Sequence, residues 1–260
     1  MLNRLDKLDG LKGKRVVVTG GGRDFGQAIS VWLAREGAHV DLCARQLERA
    51  EATREIIQGE GGIARSYQCD ISDAQSVRNF ANQLLQDSKP IDILILSAAQ
   101  WLEGNLSDDD SDEDIISTMN SGATGSMLLT KMLLPSLRKS QGADIIAMVS
   151  VCGIPNFIRS VAHPVFFAAK HAMSGFCQTI SHQLSKDNIR VTGIYPPDFE
   201  VNGFDVDLDD HQTMGKQLLN GRSVWESIRF VLTQPRSCHI SAIYFQGPTF
   251  EDMTGNNSHS

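Results

Sequence analysis

Long apolar runs are missing from this 260-residue chain. No stretch approaches the ~20 apolar residues that a membrane-spanning helix needs. The opening MLNRLDKLDGLKGK also lacks the apolar core of a secretory leader. No membrane partner is expected, and a cytoplasmic location follows by default. Metal-ligand patterns are missing too. Cys43, Cys69, Cys152, Cys177 and Cys238 lie far apart, with no C-x-x-C pair and no Cys/His set at zinc spacing. Their odd number and apolar flanks fit buried free thiols in a reducing compartment, so no metal is expected. Basic charge is short: 24 Lys and Arg against 31 Asp and Glu leave a net charge of −7. That balance argues against nucleic acid as a partner, because phosphate backbones call for clustered cations. A local basic pocket for one phosphate stays open.

What the chain does have is alternation. Short β-branched runs at 15–19, 39–43, 64–68, 91–96, 144–149, 190–195 and 242–245 read as strands. They are nearly continuous in apolar character, which suits strands buried on both faces. Between them, 26–36, 47–59, 76–87, 115–137, 166–184 and 224–232 carry apolar residues at helical spacing. Strand and helix in strict turn predict an α/β fold, one doubly wound parallel sheet of about seven strands with helices on both faces. With no Pro/Ser linker and no internal repeat, residues 1–250 are expected to form a single domain containing the substrate cleft. A disordered tail is expected over 251–260.

Two polar stretches stand apart. Residues 107–114 (SDDDSDED) precede a long helix, where carboxylates are favoured by the positive end of its dipole and a side chain caps the first turn. The alternative use is a docking site for a basic partner. Residues 201–211 (VNGFDVDLDDH) follow the sixth strand, where sheets of this kind carry a substrate loop.

The first strand runs directly into Gly20, Gly21, Gly22, Arg23, Asp24, Phe25 and Gly26, and a helical pattern starts there. A glycine-rich turn at this place lets backbone N–H groups approach a pyrophosphate, and the helix N-terminus adds the positive end of its dipole. The second strand ends in Cys43-Ala44-Arg45. A site for NAD wants a carboxylate near here to hold the ribose 2′-hydroxyl, whereas an arginine suits a 2′-phosphate. Arg45 and Arg23 converging on one dianion therefore favour NADP over NAD. Asp70, in Cys69-Asp70-Ile71 after the third strand, either accepts from the adenine amino group or caps a short turn.

Thr19-Gly20-x-x-x-x-x-Gly26 and Asp70-Ile71 in this context resemble the cofactor half of the short-chain dehydrogenase/reductase family, over about residues 10–247. That resemblance implies an NADP-dependent oxidoreductase acting on a small carbonyl, alcohol or activated C=C substrate. It departs from the family pattern in several places. The pattern T-G-x-x-x-G-x-G has Asp24 at its middle glycine, a carboxylate that repels pyrophosphate unless it turns outward or caps the helix. After the fourth strand the family's N-N-A-G is Ser97-Ala98-Ala99-Gln100, small enough for cofactor approach but without the asparagine's bracing. Pro196-Pro197 stand where the family has Pro-Gly beside the nicotinamide.

The resemblance also assigns the chemistry. In the family a Ser orients the carbonyl, a Tyr exchanges a proton with the substrate oxygen, and a Lys four residues on lowers the phenol pKa and holds the nicotinamide ribose. Ser150 and Lys170 match the first and last. Four-residue spacing puts residue 166 on the lysine's helix face, and it is Phe166, which has no proton to give. The family's asparagine falls on Gly122, with Asn120 two residues earlier. His163, just ahead of the helix, is the candidate replacement acid because it titrates near neutrality; its alternative role is a cap. Tyr195 reads as packing. Besides the oxidoreductase, a regulatory or scaffold protein on the same fold and a non-redox dehydratase or isomerase remain open. Family members pair two long helices, so a homodimer or homotetramer is expected through Met127, Leu128, Met132, Leu133, Phe176 and Ile180.

Overall fold

The computed structural model describes residues 9–106, 110–201, 203–205 and 219–246. The sequence alternation becomes β1 (Arg15–Thr19), α1 (Asp24–Arg35), β2 (His39–Ala44), α2 (Leu47–Gly59), β3 (Ile63–Gln68), α3 (Ala74–Leu85) and β4 (Ile93–Leu96). The chain continues through α4 (Asp112–Met119), α5 (Gly125–Leu137), β5 (Ala143–Met148), α6 (Pro164–Leu184) and β6 (Ile189–Tyr195). It closes with a short pair, β7 (Phe199–Glu200) and β8 (Leu219–Asn220), then α7 (Gly221–Thr233) and β9 (Ala242–Tyr244). Seven strands form one parallel sheet in the order β3-β2-β1-β4-β5-β6-β9. The winding reverses between β1 and β4, which opens a crevice at the carboxyl ends of those two strands.

Period-two alternation sends neighbouring side chains to opposite faces. Val16 and Val18 enter a core with Ile29, Trp32, Trp225 and Ile228. Val17 between them enters the other, with Phe80, Leu129, Leu133 and Met173. Leu133, expected at a subunit seam, is thus fully buried in its own chain's core; Met127, Leu128, Met132, Phe176 and Ile180 are only partly covered. A buried ion network closes the far end of the sheet. The Arg15 guanidinium donates to Asp41 at 2.7 Å and to the carbonyls of Lys89 and Leu84. Pairing of this kind is what permits an arginine in a core.

Element ends differ slightly from the sequence reading, for local reasons. β4 starts at Ile93 because the Ile91 N–H is taken by the Ser136 hydroxyl on α5. The helix expected over 115–137 begins at Asp112, where Ser111 accepts from the Asp114 N–H. It also contains a π-helical turn, Asn120–Thr124. Gly122 and Gly125 in that region have no room for a side chain: a Cβ on Gly122 would lie 2.8 Å from Ala169, and one on Gly125 would strike the Ile71 carbonyl. Asp112, Glu113 and Asp114 occupy the first turn of α4, as expected for dipole-favoured carboxylates. Residues 107–109 of that acidic stretch, residues 202 and 206–218 of the loop after β6, and the 251–260 tail lie outside the described residues. The stem of that loop is tied to α1, where Phe204 O accepts from Trp32 Nε1 at 2.9 Å and from Arg35.

Candidate nucleotide and catalytic cleft

A cleft of about 1130 Å³ lies at the carboxyl ends of the central strands. All the residues predicted on the cofactor side line it, together with Ser150, Phe166 and Lys170. His163 does not.

At one end is the turn between β1 and α1. Gly20 has φ +73°, and a Cβ there would press on Ala98 at 3.0 Å. A Cβ on Gly26 would run into the Gly20 carbonyl, so only glycine closes the turn. Thr19 Oγ1 accepts from the Ser97 and Ala98 N–H groups and so joins β1 to the segment after β4. The residue before α1, Arg23, offers no side-chain acceptor to the first-turn N–H groups. Those donors are left for an anion. Asp24 does not cap either. It takes up a left-handed backbone, φ +49°, at the position where the family pattern has glycine, a conformation that Asp tolerates better than most residues. Its carboxylate is largely exposed and lies 3.4 Å from Arg23 Nε.

A third cation at this end of the cleft was missed in the sequence. Arg49, one turn into α2, packs so closely on Gly22 that a Cβ there would lie 2.8 Å from its own. It lines the cleft beside Arg45. Neither Arg45 nor Arg49 pairs with a carboxylate among the described residues, whereas Arg23 is engaged by Asp24. Only the helical position of residue 49, one turn after the end of β2, hinted at this. Asp70 lines the cleft and also caps a turn: its Oδ1 accepts from the Ser72 N–H at 2.9 Å and hydroxyl at 2.6 Å.

Nearer the middle, the segment Ser97-Ala98-Ala99-Gln100 is braced from α4 instead of by an asparagine. Gln100 N donates to Ser121 Oγ at 2.9 Å, and Ser117 Oγ donates to Gln100 Oε1 at 2.8 Å. Ser117 and Ser121 line the cleft, whereas Asn120 and Gly122 do not. The hydroxyls that this region brings to the cleft are thus serines that the family pattern did not single out, beside the carboxylates of Glu113 and Asp114.

At the other end Ser150, Phe166 and Lys170 meet. Ser150 has φ +81° and ψ 156°, a region otherwise left to glycine. Its Oγ accepts from the Cys152 N–H at 3.3 Å. The Phe166 ring is buried, edge-on to Trp101 with centroids 4.8 Å apart. Lys170 Nζ lies 5.2 Å from the centre of the Phe166 ring and donates to Met148 O at 2.9 Å. Lys170 is 5% exposed, and no carboxylate pairs with it among the described residues. Burial pushes its ammonium down to about 8. Burial also raises the neighbouring Cys152 thiol, although hydrogen bonds with Ser150 and Ser160 oppose the shift.

His163, the expected replacement acid, is corrected by its position. Its ring is 1% exposed and caps α6, with Nδ1 accepting the Val165 N–H at 3.2 Å. Its Nε2 faces Asp110 at 3.5 Å. Pro164, which starts the helix, had pointed to that role. Tyr195 is packing as expected: its hydroxyl pairs with Ser174 at 2.9 Å and its ring stacks on Tyr244. Pro196 and Pro197 line the cleft. Four cysteines are buried and Cys238 is half-buried, all as free thiols. Among the described residues no group of His, Cys, Asp and Glu is arranged to hold a metal, and no helix is long and apolar enough to cross a membrane.

The family model for short chain dehydrogenases matches residues 14–211. The chain belongs to the short-chain dehydrogenase family. An uncharacterized oxidoreductase of Mycobacterium bovis is 31% identical over 191 residues, covering 72% of this chain and 55% of that protein. A fatty acyl-CoA reductase of Acinetobacter baylyi is 30% identical over 190 residues, covering 73% of this chain and 63% of that protein. The chain thus spans little more than half the length of these dehydrogenase relatives. The fold is shared with a metagenomic short-chain oxidoreductase crystallised with NADP: TM-score 0.75 and 23% identity, over 90% of this chain and 97% of that one. It is shared as well with the L-sorbose reductase of Gluconobacter frateurii in complex with NADPH and L-sorbose: TM-score 0.77 and 22% identity, over 91% and 96%.

Proposed function

We propose that the protein is an NADP-dependent oxidoreductase that reduces a small carbonyl or activated C=C substrate, with proton transfer handled without a tyrosine. One observation carries the reading. A single cleft has two guanidiniums without a carboxylate partner among the described residues, Arg45 and Arg49, at one end and the family's serine and lysine, Ser150 and Lys170, at the other. Only a long ligand with a phosphorylated end uses both. Arg45 and Arg49 clamp the 2′-phosphate of the adenosine ribose, and Arg23 joins them when it exchanges Asp24 for phosphate. The N–H groups opening α1 receive the diphosphate. Lys170 donates to the nicotinamide ribose while it stays anchored to Met148 O. Ser150 donates to the substrate carbonyl oxygen, and its strained backbone fixes where that hydroxyl points. Phe166 and Trp101 form an apolar wall that keeps water from the reacting carbon. When bound, the reduced nicotinamide supplies the hydride. A homodimer or homotetramer, formed through the partly covered residues of α5 and α6, belongs to the same proposal.

Titrating the purified protein with NADPH and NADH by fluorescence tests the cofactor. Tighter binding of NADPH is the expected result. If neither binds at millimolar concentration, the oxidoreductase reading falls. The regulatory or scaffold reading then takes its place; Phe166 at the tyrosine position and Asp24 at the turn's middle glycine already favour it.

A further inference from the structure

We infer that Lys170 itself is the proton donor to the substrate oxygen, replacing the phenol that Phe166 lacks; the inference rests on the cofactor reading above. The geometry leaves few other candidates. His163 is outside the cleft and its Nδ1 is committed to the start of α6. Tyr195 is buried against Ser174 and Tyr244 and does not line the cleft. Ser150 lines it, but an aliphatic hydroxyl is a poor proton donor unaided. Lys170 lines the cleft with Phe166, its ammonium 5.2 Å from the centre of the ring that lacks the hydroxyl. One of its three protons is held by Met148 O, leaving two for ribose and substrate.

The surroundings set the acidity of this donor. The thiols facing it are Cys152, from the turn after β5, and Cys177, on its own helix. Asp198, after β6, and Asp114 and Glu113, on α4, line the same cleft without pairing to it. An ammonium desolvated in this way and lacking a carboxylate gives up its proton near neutral pH, the condition for a useful general acid. The step balances simply. With the reduced dinucleotide bound and supplying a hydride to the carbonyl carbon, the π pair of the C=O bond would take a proton from Lys170 Nζ. The products would be an alcohol, the oxidised dinucleotide and a neutral amine that solvent reprotonates.

The test uses the NADPH complex with ethyl benzoylformate, an activated aryl ketone, followed in single turnover from pH 6 to 10. In parallel, the 13Cε resonance of Lys170 is titrated in the same complex, assigned by its loss in Lys170→Arg. The expected rate is flat at low pH and falls above a midpoint shared with that resonance, well below the ordinary lysine value. Lys170→Arg keeps the positive charge, and guanidinium does not deprotonate in this range. With NADPH binding to the variant measured separately and the dinucleotide saturating, the rate should drop at least tenfold and the alkaline limb disappear. Adding Phe166→Tyr to Lys170→Arg should restore a donor and recover rate. A limb that persists in Lys170→Arg, a drop of less than tenfold, or a resonance midpoint near 10.5 overturns the assignment. So does an NADPH complex that leaves the ketone untouched at every pH. Failure of NADPH to bind the wild-type protein instead removes the cofactor reading on which the assignment stands.

Discussion

The Asp24 carboxylate sits 3.4 Å from the Arg23 guanidinium, on a residue held at φ +49° in the nucleotide turn. That pairing engages one cation at the arginine end of the cleft and, on the cofactor reading, leaves a negative charge beside the diphosphate. Asp24→Gly should therefore tighten NADPH binding. Both side chains are more exposed than buried, so the effect is small, about two- to fivefold. The melting temperature should barely move, because relief at the left-handed backbone is offset by the greater freedom of glycine in the unfolded chain. Fluorescence titration and thermal unfolding measure the two effects, and weaker NADPH binding in the variant would contradict the electrostatic account.

Arg45 and Arg49 have no carboxylate partner among the described residues and line the same end of the cleft. Arg45→Ala and Arg49→Ala should each weaken NADPH by roughly 10- to 100-fold, the value of one charge-assisted contact to phosphate. NADH, which lacks that phosphate, should be unaffected. Equal losses for both dinucleotides would mean that these guanidiniums act on the diphosphate or on the fold.

Phe166 stands where the family pattern has its tyrosine, with Lys170 Nζ 5.2 Å from its ring centre. Phe166→Tyr should raise the reduction of ethyl benzoylformate by about 10²-fold, within the usual worth of general acid catalysis. The nearby ammonium would favour phenolate and draw the new tyrosine's pKa down. An unchanged turnover number would place the limiting step elsewhere.

Lys170 also leaves a signature in stability that needs no cofactor. Burial holds its folded pKa at about 8, below the unfolded value of about 10.4. Below pH 8 both states carry the proton and the folded state bears the full cost of a buried charge. As pH rises from 8 toward the unfolded value, the unfolded chain holds more protons than the folded one, and that cost shrinks. Lys170→Met should therefore stabilise the protein most below pH 8, on the order of 3 kcal/mol. The advantage should vanish near pH 10.5. Urea unfolding of both proteins across this range gives the difference, and a gap that does not change with pH would contradict a titrating Lys170.

Much of this was legible in the order of the residues. The alternation of β-branched runs with helical stretches determined the doubly wound sheet, because period and burial are properties of the chain's own residue order. The turn at residues 20–26, Arg45, Ser150, Phe166 and Lys170 were legible because each lies at a strand end or at fixed helical spacing. Tertiary structure alone decided the rest. Arg49 reaches the cleft beside Arg45 only because Gly22 lets α2 pack against the turn. Ser117 and Ser121 reach the cleft only because α4 and its π turn lie beside the segment after β4. His163 looked like an acid beside the catalytic helix, yet its orientation, which residue order does not encode, turned it into that helix's cap. Residue order set which groups are available, and packing between elements distant in sequence set which of them face the same space.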